Sequence, residues 1–133
     1  MLKCAQLFTA LLEEKNFNYD PRESDDASVV VFPYEGKRFT CIFTGEKGEY
    51  LSLYVTYETI PQDKYADVLI LCNELNAKFK WVKCYIDKDN DFCIQDDAIL
   101  SESTAADETF ELLLRLISIS GDIKAPLMRA IYA

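Results

Sequence analysis

The sequence contains no histidine. Histidine is the commonest general base at neutral pH and the commonest metal ligand, so its absence removes the simplest routes to both chemistries. Five cysteines stand at 4, 41, 72, 84 and 93, an odd number with no Cys-x-x-Cys pair. A zinc site lacks its spacing, and a secreted disulfide framework lacks its even count. The thiols read as buried apolar groups of a chain kept in a reducing compartment. With four glycines there is no phosphate-cradling loop. Long apolar runs are also missing. The densest, Val68 to Cys72 and Leu112 to Leu114, fall far short of the roughly 20 residues that span a bilayer. The opening Met1 to Gln6 has no basic leader segment. Basic residues are scarce, 14 against 23 acidic, for a net charge of −9. Phosphate neutralisation supplies much of nucleic-acid affinity, so neither nucleic acid nor an anionic membrane is expected as a partner. The composition is that expected of a soluble, cytoplasmic protein.

What is present is a good supply of core. Half of the 133 residues are hydrophobic. That suits one domain over 1–133, able to bury roughly two thirds of its unfolded surface. Leu2 to Lys15 has helical spacing, with Cys4, Phe8, Leu11 and Leu12 on one face. Asn16 to Pro21 ends that helix and begins a polar connection. Val29 to Phe32 reads as a strand, limited or placed at an edge by Pro33. Phe39, Cys41 and Phe43 alternate with polar neighbours, as do Leu51, Leu53, Val55 and Tyr57, and glycine-bearing turns make these three strands a meander. Pro61 and Asp63 suit the start of a second helix, whose stripe is Tyr65, Val68, Leu69, Cys72 and Leu75. Lys80 to Ile86 alternates again, Asp87 to Asp91 turns, and Phe92 to Gln95 returns as a strand. Ser103 or Thr104 caps a third helix, which Gly121 and Pro126 are expected to break or kink before a short segment to Ala133. The fold class is α+β, an antiparallel sheet with helices in the order α-β-β-β-α-β-β-α.

Leu75-Asn76, the amphipathic strand Lys80 to Ile86, the acidic turn Asp87 to Asp91 and the strand Phe92 to Ile94 form one connected pattern. Together with Leu11-Leu12, Phe17 and Tyr19, it resembles the YbjN-like family of bacterial proteins, labelled sensory transduction regulators. The likeness runs from about Leu7 to Leu127. It implies a fold similar to type III secretion chaperones, which are usually dimers. It implies no catalytic residues to carry over.

Candidate sites follow from the residues. Asp87 to Asp91 places oxygens at alternate positions, as a calcium loop does. The sixth and twelfth positions of an EF-hand loop need Gly and Glu, and here they hold Phe92 and Ala98, which favours a solvated hairpin turn. Asp87, Asp89, Asp91, Asp96, Asp97, Glu102, Asp107 and Glu108 face a single base, Lys88, over this stretch. That run is a solvated face or an acidic docking patch, with Asp96 and Asp97 at its centre. A reactive thiol needs a nearby base or helix N-terminus, and only Cys4 stands near one. Strand parity puts Tyr50, Ser52, Tyr54 and Thr56 opposite the core residues of their strand, and Trp81 and Tyr85 opposite theirs. Tyr and Trp are enriched at interfaces, so Tyr50, Tyr54, Trp81 and Tyr85 are candidate protein-binding residues, against burial under a second layer. Leu112, Leu116 and Ile119 widen the stripe of the third helix, and Ile70 and Leu71 lie off that of the second. These five are the candidate dimer interface. The strand Val29 to Phe32 is a possible edge for an added peptide strand.

The expected function is a non-enzymatic, protein-binding, chaperone-like or regulatory domain acting as a homodimer, without catalytic residues, metal or cofactor. The competing readings are a small carboxylate-based enzyme and a small-ligand sensor with an apolar cavity between sheet and helices.

Overall fold

Helical spacing and strand alternation meet on one sheet. A computed structural model describes residues 1–132. Ala133, the end of the expected terminal segment, lies outside the described residues. The first helix, α1 (Lys3–Glu14), buries Cys4, Ala5, Phe8, Thr9 and Leu12. It ends at Asn16, which takes the left-handed conformation at φ 61°. The N–H of Asn16 donates to Glu13 and that of Phe17 to Leu12, satisfying the last carbonyls as a glycine cap usually does.

Two strands precede the expected meander's centre. β1 (Asp20–Glu23) is fully exposed and pairs antiparallel with β2 (Ser28–Tyr34). Its four residues carry no alternation, so only the backbone ladder defines it. β2 turns into β3 (Lys37–Thr44) through Glu35-Gly36 at φ 49° and 78°, a type I′ hairpin turn. β4 (Tyr50–Thr59) follows. Before it, Gly48 sits at φ 77°, where an added Cβ would lie 2.9 Å from the Leu2 Cβ. Glycine is needed there for both conformation and space. A 3₁₀ turn at Gln62–Lys64 leads into α2 (Tyr65–Lys78). Then come β5 (Lys83–Ile86), β6 (Asp91–Ile99) and α3 (Ala105–Tyr132). The sheet order is β1-β2-β3-β4-β6-β5, antiparallel throughout. The α+β class and the order of elements hold, with β1 added ahead of the expected strands.

The helices share one face of the sheet. α1 packs on β2, α3 on β4 and β6, and α2 on β5, and all feed a single hydrophobic cluster. α3 runs unbroken for 28 residues through Gly121 and Pro126. Pro126 cannot donate to the carbonyl one turn back, which costs a helix interior about 3 kcal/mol. The buried stripe nevertheless continues through Ile123, Leu127 and Ile131. Each of these side chains gains about 1.5–3 kcal/mol by burial, which outweighs the missing bond.

The sheet edges also differ from expectation. β2 is interior over Ser28 to Val31, where β1 covers it, and beyond that Pro33 has no N–H to offer. It is therefore not an edge for an added strand. The true edge β1 is four residues long and carries Asp20, Pro21, Arg22 and Glu23, the short, charged, proline-bearing kind that resists pairing. The other edge, β5, is closed by a side chain. Asn76 on α2 accepts from the Cys84 N–H at 2.6 Å and donates to the Cys84 carbonyl at 3.1 Å. One amide thus imitates a neighbouring strand. Leu75, beside it, is buried in the core. This gives the Leu75-Asn76 pair its physical meaning: one residue seats the helix and the next seals the sheet. Asn76→Ala should cost about 2 kcal/mol in urea unfolding, because it strands the backbone groups of Cys84. A loss below about 0.5 kcal/mol would mean that water replaces the amide without penalty.

Candidate functional site

With the helices on one side, the other side of the sheet is open. Cross-strand register assembles its rows. Arg22, Val29, Ile42, Ser52 and Asp97 stand side by side across five strands. The next row is Asp20, Val31, Thr40, Tyr54, Gln95 and Lys83. Thr44, Tyr50 and Ile99 form a third row, and Thr56, Cys93 and Tyr85 a fourth. The middle of this face is aliphatic and aromatic: Val29, Val31, Ile42 and Tyr54. Its two ends are charged. Asp20 pairs with Arg22 and Arg38 at 3.0 and 3.6 Å at one end, and Lys83 with Asp97 at 3.3 Å at the other. An apolar centre with a polar rim is the usual plan of a protein-binding patch. Tyr50 and Ile99, 53% and 78% exposed, extend the apolar surface to one corner.

Tyr50, Tyr54 and Tyr85 therefore lie on the helix-free face, as strand parity requires. The Tyr85 hydroxyl donates to Gln95 at 2.6 Å. Burial pushes that hydroxyl up, and the nearby Cys93, Asp87 and Asp97 add to the effect. Trp81 does not join them. It precedes β5 at φ 79° and, 57% exposed, lines a depression with Lys78, Lys80, Leu114 and Arg115 on the helix side. A left-handed turn residue has no place in strand alternation, so parity misplaces it.

Asp96 and Asp97 part company as well. Successive strand residues point to opposite faces. Asp97 is on the open face, held below the usual carboxylate range: burial opposes this, but bonds from Gln95, Ser52 and Lys83 prevail. Asp96 points inward opposite Leu53 and is 5% exposed. It is a core residue, not part of an acidic patch. Its Oδ2 has no hydrogen-bond partner among the described residues. Burial pushes its carboxyl up to about 6, with the Asp97 charge adding to the effect. The two carboxylates cannot work as an acid–base pair across a sheet.

The dimer candidates also separate. Leu116 and Ile119 are 0% and 8% exposed within the monomer core. The sheet and the neighbouring helices supply the second side that α3 requires, so these two offer no free interface. Leu71 and Leu112 are half-buried. Ile70 is 60% exposed and adjoins Leu69, Tyr65 and Ala66 on the outer side of α2. The expected stripe of α2 was too wide: Val68, Cys72 and Leu75 are buried, while Tyr65 and Leu69 are not.

The acidic turn is held by its own first residue. Asp87 Oδ1 accepts from the Asp89 and Asp91 N–H groups at 2.9 Å each. Its Oδ2 accepts from the Cys93 thiol at 3.4 Å. The carboxylate is thus occupied in shaping the turn. The five thiols are all free and buried. Burial pushes up Cys4 and Cys41, as well as Cys72 to about 11 and Cys84 and Cys93 to about 12. None is poised as a thiolate.

One feature escaped the sequence reading. An apolar groove of about 340 Å³ opens between the end of α1, the end of β2 and the outer side of α3. Phe17 sits in it, stacked on Phe110 and edge-on to Phe32. Those three residues are 15 to 93 positions apart, so no pattern within one element joins them.

The family profile described as "Putative bacterial sensory transduction regulator", YbjN, matches residues 5–122. The chain belongs to the YbjN family. The stretch that suggested it, from Leu75 through the acidic turn, lies inside the match, and Asn76 and Asp87 are the residues that tie that stretch together. No curated protein matches the YbjN chain at a significant level. Among solved structures it is similar to the Yersinia pestis type III secretion chaperone SycH, crystallised in complex with a stable fragment of YscM2. Identity is 12% over 87% of this chain and 98% of that chain, with a TM-score of 0.49. No helix among the described residues is long and apolar enough to cross a membrane.

The buried Asp96 sets a pH dependence. Its folded pKa of about 6 lies above the unfolded value of 3.8, so the native state holds the proton more tightly between those values. Stability is therefore fully present below about pH 4 as far as this group is concerned, and is lost as pH rises through 6. Asp96→Asn should stabilise the protein at pH 7 by on the order of 2 kcal/mol and flatten this fall. Thermal unfolding of both proteins from pH 4 to 8 tests it. Parallel curves would show that Asp96 is solvated in solution.

Proposed function

We propose that this YbjN chain is a non-enzymatic protein-binding domain, chaperone-like or regulatory, that acts as a cytoplasmic homodimer. One observation carries the binding reading: the six-stranded sheet keeps an apolar, charge-rimmed face free of its own helices. Closed edges direct recognition to that face rather than to strand addition. Tyr54 and Ile42 are the anchors at its centre, and Asp97 steers basic groups of a partner toward the β6 side. The dimer reading is supported by the exposed apolar side of α2 around Leu69 and Ile70, with Leu71 and Leu112 as secondary contacts. The family's description as a regulator suits a domain that acts by occupancy.

The test uses affinity capture from the source cell, comparing the native chain with Ile42→Asp, Tyr54→Asp and Asp97→Lys. The two apolar variants should lose the same specific partner at least tenfold, and Asp97→Lys should slow association and reduce its salt dependence. Retention of that partner by all three variants removes the open face from consideration. Ile70→Asp should convert dimer to monomer by native mass measurement, and a native protein that is monomeric at high concentration ends the dimer reading.

A second reading, a small-ligand sensor, is favoured by the groove around Phe17.

A further inference from the structure

The groove has the makeup of a ligand site. Its walls are Phe17, Phe32, Phe110, Leu113, Leu114 and Ile117, and its volume of about 340 Å³ is within the range of small-molecule pockets. Phe17 and Leu114 are 41% and 46% exposed, a sizeable apolar area left open beside the core. Such area on a chain with filled core faces marks a contact rather than a packing residue.

The mouth is polar and positive. Asn16 and Asn18 line it, and neither side-chain amide is bonded within the described structure. Asn16 is held in place by its left-handed backbone at the end of α1. Lys15 precedes it, with its ammonium 5.2 Å from the centroid of the Phe110 ring. Lys15 makes no ion pair among the described residues. Its charge stands against one wall of the apolar groove, with no carboxylate paired to it. It matches an occupant that brings its own negative charge.

We propose that this groove binds a small amphipathic carboxylate, its apolar body against Phe17, Phe110 and Leu114 and its carboxylate received by Lys15 and the amides of Asn16 and Asn18. This rests on the ligand-sensor reading and names its ligand class. The aromatic residues supply non-directional affinity, and the three polar groups supply the preference for an anion. The site is separate from the open sheet face, since its α3 wall stands on the opposite side of the sheet. Occupancy would fix the junction of α1 and β1 against α3.

Sodium decanoate and the neutral decanol are suitable probes, with binding followed by calorimetry and by NMR of the Asn16 and Asn18 side-chain amides. Decanoate should bind saturably, one per chain, and shift both amides. Lys15→Gln should weaken decanoate about fivefold and leave decanol unchanged. Leu114→Asp, at a half-exposed position, should abolish both, with circular dichroism verifying its fold. Equal binding of decanol and decanoate, both lost in Leu114→Asp, overturns the anion preference while leaving a ligand groove. No saturable binding of either probe, or binding indifferent to both substitutions, overturns the site itself. A change of oligomeric mass in Leu114→Asp without decanoate binding to the native chain assigns the groove to a second copy and likewise overturns the proposal.

Discussion

Near the middle of α3, the carbonyl of Ser120 accepts from the Tyr57 hydroxyl at 2.7 Å, and the Ser120 hydroxyl bonds to the same group. This buried contact ties the longest helix to β4, and the stripe from Ala105 to Ile131 lies on the sheet on either side of it. The rest of the architecture depends on that packing. α3 touches both other helices and two adjacent strands, β4 and β6. Because it must remain continuous to cover β4 and β6, the chain tolerates a proline within it. With the inner face filled by one long helix and two flanking ones, the opposite face is free of helices, and there the strands present the half-exposed Val29, Ile42 and Tyr54.

A sheet open on one face and ended by two short strands would ordinarily invite aggregation along its edges. Here the edges are treated unequally. β1 is blunted by charge and proline, whereas β5 is closed by the Asn76 amide acting as a surrogate strand. The result separates two modes of recognition that sheet proteins commonly combine. Strand addition is obstructed, and broad contact on the face is left available. On the proposed binding face, recognition would rest on side-chain complementarity rather than on backbone pairing.

The inner side carries a cost that packing alone does not explain. Asp96 is buried without a full set of partners, among residues that are otherwise hydrophobic. An unsatisfied buried carboxylate is destabilising. Its strand neighbour Asp97 does the reverse, gaining a lysine, a serine and a glutamine on the open face. Two adjacent identical side chains thus have opposite electrostatic fates, decided only by which way the strand turns them.

The sequence by itself determined the α+β class, most of the strands and helices, the core parity of Leu51, Leu53 and Val55, the outward parity of Tyr50 and Tyr54, the inert thiols and the family pattern around Leu75-Asn76. All of these rest on local periodicity or on residue chemistry, which a chain carries wherever it folds. Tertiary structure alone decided the rest. Periodicity states which residues share a face, but not what covers that face. Leu116 and Ile119 looked surplus until the sheet and the neighbouring helices buried them. β1 has no pattern of its own and exists because β2 offers it a ladder. Trp81 left its expected face because one left-handed backbone angle broke the alternation. The Phe17 groove draws its walls from three elements distant in sequence, and a surface made of long-range neighbours leaves no mark in any one stretch of the chain.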